Sequence, residues 1–199
     1  MVLGAADELR KQCGLQPLDL PLKSGQTYSW GILDLAKLLQ YYCKHCDFYR
    51  EMVAYALDRT PAGVPLRLVL YEDEIIPGNI ILGKRKMHAW YFTLREFDGF
   101  VRSEHGWICF ALLQSSIVPL VEGEFSCVSR LINESICTMS TPSICQHGIT
   151  VLDPPRLLRI QLYDLQDKSA LKYKWAIKGH GGLKPCMHYN QAILDICPN

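Results

Sequence analysis

Apolar positions along this 199-residue chain recur with two different periods, and the switch between them marks the elements. Between residues 30 and 57, Ile32, Leu35, Leu38, Leu39 and Tyr42 fall at three- and four-residue steps, which predicts a helical region. Ser29 and Asp34 are the candidate caps at its start, and Arg59-Thr60-Pro61-Ala62-Gly63 ends it, because Pro and Gly stop helices. Residues 1–29 carry Gly, Pro and Ser without a clear period and read as an irregular entry segment.

Three strand candidates follow. Residues 66–71 are nearly all apolar, as a strand covered on both faces is; 87–94 are aromatic; 107–118 are apolar with a polar interruption. In 121–136, Phe125, Val128, Leu131, Ile132 and Ile136 share one helical stripe. A Ser/Thr/Pro loop at 138–148 leads to two short strands around Pro154-Pro155, and Asp167 then caps a last predicted helix. This order predicts a mixed α/β fold, in which short links make the three successive strands an antiparallel meander. The expected division is an entry segment and helical region at 1–62, then an α/β domain at 63–199.

Composition narrows the function classes. With 49% hydrophobic and 21% charged residues the chain has the makings of a folded domain, and a net charge of +1 leaves partner electrostatics to local patches. The apolar run at 108–121 is too short to span a membrane and contains Gln114, Ser115 and Ser116. The opening MVLGAADELRKQ mixes acids and bases where a signal peptide is apolar, so the expected location is intracellular. The nine cysteines are odd in number, and Cys109, Cys127 and Cys137 sit in apolar patterns, which suits reduced, buried thiols.

Glu72, Asp73 and Glu74 end the first central strand, the stretch reading LYEDEIIPGN. Two-metal phosphoryl transfer draws carboxylates from distant parts of a chain, and a strand end is rigid and open. Alternation sets Tyr71 and Asp73 on one face and Glu72 and Glu74 on the other. Asp73 is the candidate ligand, with Asp164 or Asp167 as its partner; the plainer reading is that these acids are solvated ends and helix caps.

Cys43-Lys44-His45-Cys46 is half of a zinc site or a redox pair; Cys186, His188 and Cys197 give only a loose second set, so zinc is not expected. From Lys168 through Lys172, Lys174, Lys178 and Lys184 there is no acid, and Tyr173 and Trp175 are interleaved, a pattern that suits phosphates and stacked bases as well as a solvated helix face. No GxSxG, Walker or dinucleotide pattern occurs.

Together, LYEDEIIPGN, KRKMHAWYFTLREF, Ser115-Ser116 and DKSALKYKWAIKGHGGLKPC resemble a family of reading frames from mobile elements of eukaryotic genomes. That family is similar to cut-and-paste DNA transposases with a ribonuclease-H-like catalytic domain. The resemblance spans about residues 26–190 and implies a partial ribonuclease-H-like core, DNA as partner and a nuclear location. It implies catalytic, Mg²⁺-holding roles for Asp73 and Asp167. Three departures stand against full activity: Lys168 replaces a Glu, Tyr189 replaces the second Cys of a CxxC, and few residues remain for a third acid. The expectation is therefore a truncated, catalytically incomplete relic. The alternatives are an interaction module docking through residues 30–58, or a small complete nuclease whose last ligand is Glu122, Glu124 or Asp195.

Overall fold

The computed structural model describes residues 10–76, 86–139 and 143–165, with side chains through Tyr163. The first element corrects the sequence reading. Residues read as irregular entry and helix start form a hairpin, β1 (Leu15–Pro21) and β2 (Thr27–Leu33), paired so that Leu18 faces Trp30 and Leu20 faces Tyr28. Leu18, Leu20, Trp30 and Ile32 are buried, every second residue on each strand, so period two is present beneath the prolines and glycines that mask it.

Helix α1 (Leu35–His45) starts where Asp34 accepts a hydrogen bond from the Lys37 backbone N–H at 3.1 Å. The single predicted helical region is two helices, because Cys46 is extended (φ −126°, ψ 106°) and α2 (Asp47–Arg59) begins after it. Lys44 and His45 at the end of α1, and Asp47 at the start of α2, complement the two helix dipoles on either side of that joint. Thr60-Pro61 closes α2, since the residue before a proline disfavours helical torsions.

The central sheet is built from β3 (Leu66–Ile75), β4 (Met87–Leu94), β5 (Ile108–Gln114) and, from beyond a helix, the strand Ile160–Leu165. Between them come α3 (Glu124–Glu134) and a small hairpin, β6 (Ile149–Val151) with β7 (Arg156–Leu158), which makes the last strand β8. The sheet order is β5-β4-β3-β8, with the first three strands an antiparallel meander, as the sequence predicts. Strand β8 runs parallel to β3, setting Leu66 against Ile160 and Tyr71 against Leu165. A mixed α/β fold is thus the architecture.

The strand predicted at 107–118 ends at Gln114; the apolar Ile117 and Val118 instead lead into a short 3-10 turn at Val118–Leu120. One face of the sheet carries Leu66, Leu68, Leu70, Trp90 and Phe92, all nearly inaccessible. Helix α3 covers it: Phe125 stacks on Trp90 with centroids 5.8 Å apart, and Val128 and Ile132 are buried behind it. Each such side chain contributes about 2–3 kcal/mol of burial. The β1–β2 hairpin closes the same side, where the Trp30 indole N–H donates to the Leu112 carbonyl at 2.9 Å. Among the described residues no helix is long and apolar enough to cross a membrane.

Candidate functional site

The three carboxylates at the end of β3 are separated by strand alternation, as the sequence predicts. Glu72 points to the helix-covered face and is 8% exposed. Its carboxylate accepts from His88 Nδ1 at 2.5 Å across to β4, and the imidazole lies 4.9 Å from the Phe125 ring. Glu74, on the same face but nearer the sheet end, pairs with the Lys86 ammonium at 2.9 Å. That hydrogen bond, and then the Ser115 hydroxyl, hold the Glu74 carboxyl below its ordinary value. Both glutamates are committed to structure.

Asp73 takes the other face. It is exposed, opposite Ala89 in the register, and carries no hydrogen bond or ion pair among the described residues. Tyr71, two residues before it on the same face, has its ring 6.4 Å from that of Tyr91 and 6.0 Å from that of Trp107. Burial, then Cys109, Asp73 and Tyr71, push the Tyr91 phenol above its ordinary range. Asp164 occupies the β8 register position against Leu70, so the carboxyl ends of β3 and β8 lie side by side.

Asp167, Lys168, Lys172, Lys174, Lys178 and Lys184 lie outside the described residues, as do Cys186, His188, Asp195 and Cys197. Among the described residues no group of three or more His, Cys, Asp or Glu side chains converges. Glu124, weighed as a last ligand, is engaged with Lys23 at 2.7 Å. In the CxxC stretch, burial pushes the Cys43 thiol up to about 12, so the free thiol stays protonated at neutral pH. Cys46 is half-buried at the joint between α1 and α2.

Two features were not legible beforehand. The Glu72–His88 pair depends on a register linking residues 16 apart, and no local pattern signals it. The second is a groove between α2 and the 3-10 segment Arg95–Arg102, where the aromatic spacing of Phe97 and Phe100 beside Asp98 was the available signal. No family model, no curated protein and no solved structure matches the chain, so what these sites do is argued from their geometry.

Proposed function

We propose that the chain is a transposase-derived, ribonuclease-H-like domain whose remaining chemistry is divalent-metal and DNA binding at Asp73. The observation that carries this reading is the sheet order. An antiparallel meander, then a helix, then a strand parallel to the first and beside it is the order expected of a ribonuclease-H-like core, and β3, β4, β5, α3 and β8 follow it. Asp73 stands at the end of the first of those strands.

The adjoining end of β8 is where a second ligand would come from: Tyr71 pairs with Leu165 and Asp164 takes the position against Leu70, whereas Asp167 lies outside the described residues. An exposed carboxylate without a partner among the described residues is a hard oxygen donor of the kind Mg²⁺ prefers, and those residues supply part of a coordination shell. Bound there, Mg²⁺ would supply charge stabilisation at a phosphate and activation of water or a 3′ hydroxyl. The chain's own contribution is rigidity at Asp73 and the flat rings of Tyr71 and Trp107, on which a base can stack.

Calorimetric titration of Mg²⁺ and Mn²⁺ into wild type, Asp73→Ala and Asp167→Ala tests the reading. Saturable binding in the wild type, lost in both variants while their circular dichroism is unchanged, is the expected result. A wild type that takes up neither ion would return Asp73 to the role of a solvated strand end.

A further inference from the structure

A groove of about 490 Å³ separates α2 from the segment after β4 and is lined chiefly by Met52, Tyr55, Phe97, Phe100, Glu51 and Asp98. Its size falls within the range of sites that hold a small ligand or one large side chain. Phe48, Tyr55 and Phe100 are 39%, 42% and 42% exposed, and Phe48 meets Phe100 edge-on with centroids 5.2 Å apart. Phe48, Met52 and Tyr55 recur at helical spacing along one side of α2. Single exposed apolar residues are ordinary; several in one patch mark a contact surface.

Charge then selects the occupant. Three other acids on these elements already hold arginines: Asp47 with Arg50, Asp58 with Arg156, and Glu96 with Arg67. Glu51 and Asp98, both exposed at the groove, have no ion pair or hydrogen bond among the described residues; Asp98 feels the Arg67 charge only at longer range, and no basic side chain lines the groove. Asp98 is moreover held at φ 51°, ψ −114°, a backbone conformation that side-chain-bearing residues rarely adopt. The aromatic wall has a cation precedent within the molecule. The Arg59 guanidinium lies over the Tyr55 ring, 5.1 Å from its centroid, and bonds the Tyr55 hydroxyl.

We propose that this groove docks a basic peptide of a partner protein by taking one arginine side chain, its guanidinium against the aromatic wall and its N–H groups donating to Glu51 and Asp98. Arginine fits better than lysine because a planar guanidinium stacks on rings and presents a fork of donors to carboxylates, whereas an ammonium is a compact, strongly hydrated charge. The proposal is independent of metal binding at Asp73 and gives the interaction-module alternative a surface and a partner chemistry.

The test is fluorescence anisotropy of the full chain with a labelled glycine–serine peptide carrying two arginines, beside counterparts carrying lysine or citrulline. The arginine peptide is expected to bind, the lysine peptide several-fold more weakly, and the citrulline peptide, isosteric but uncharged, not measurably. Glu51→Gln and Asp98→Asn together are expected to weaken binding by about tenfold or more, the scale of one charge-assisted hydrogen bond. Both are surface changes, and asparagine tolerates positive φ, so the fold is retained. Asp73→Asn is expected to leave binding unchanged. Equal binding of the citrulline or lysine peptide, full affinity in the double variant, or loss in Asp73→Asn would each overturn the assignment.

Discussion

Leucine at Glu72, at His88 and at both positions measures what the buried pair contributes. The side chains are 8% and 12% exposed, and Trp90 and Phe125 pack around them, so water offers little compensation when one partner is lost. Removing one member of such a pair leaves the other polar group buried and unpaired, a loss of about 3 kcal/mol at the lower end of the measured range. For a chain of this size each kcal/mol moves Tm by about 2–4 °C, so each single variant melts roughly 6–12 °C below wild type. The double variant removes both polar groups and puts two apolar side chains against Trp90 and Phe125. It is expected to cost no more than about 3 kcal/mol, against the roughly 6 of two independent losses, a coupling near 3 kcal/mol. Urea unfolding followed by tryptophan fluorescence reads this out, since Trp30 and Trp90 lie 5.3 Å apart in the same core. A double variant whose loss equals the sum of the singles to within about 0.5 kcal/mol would refute the reasoning.

Three further expectations rest on other residues. The Tyr49 hydroxyl is buried without a hydrogen-bond partner among the described residues, and burial holds its pKa well above the ordinary 10.0, so only the unfolded chain ionises there near that pH. Tyr49→Phe is therefore expected to gain about 1 kcal/mol at neutral pH and to lose less stability than wild type as pH rises above 10; a destabilised variant would mean the hydroxyl is satisfied. Gly148 sits at φ 77°, and a Cβ there would come within 2.7 Å of the Leu158 carbonyl oxygen, so Gly148→Ala is expected to cost about 2–4 kcal/mol in chemical denaturation; an unchanged midpoint would contradict this. Cys137 and Cys145 hold their sulfurs 3.5 Å apart, and oxidised glutathione is expected to join them by thiol–disulfide exchange; peptide mapping that finds other pairings first would exclude it.

Local pattern revealed the elements whose side chains decide their own conformation. Strand β4 carries the aromatic run Trp90, Tyr91 and Phe92 at its centre and ends where expected, and α3 declares itself by the stripe of Phe125, Val128 and Ile132. The hairpin at Leu15–Leu33 was hidden because Pro17, Pro21, Gly25 and Gly31 interrupt an alternation that only its pairing makes visible. The break at Cys46 was hidden for the opposite reason: three- and four-residue spacing continues across it, so one helix and two look alike. The parallel pairing of β3 with β8 joins Leu66 to Ile160, and nothing local encodes a contact across so long a loop.

The acids illustrate how far parity carries a functional reading and where pairing must take over. Alternation alone separates Asp73 from Glu72 and Glu74, and Leu66, Leu68 and Leu70 decide which set faces the core. A slip of one residue would turn Asp73 to the helix-covered face and expose Glu72, which is buried there. What opposes that slip is partly the Glu72–His88 bond: His88 stands opposite Glu74 and reaches Glu72 diagonally, and a β3 shifted by one residue would put Tyr71 or Asp73 at that diagonal position instead of its acceptor. The buried pair and the exposed carboxylate are thus two consequences of one register. Loss of the pair is expected to weaken the specification of that register as well as the stability of the fold, and with it the position of Asp73 at the open end of β3.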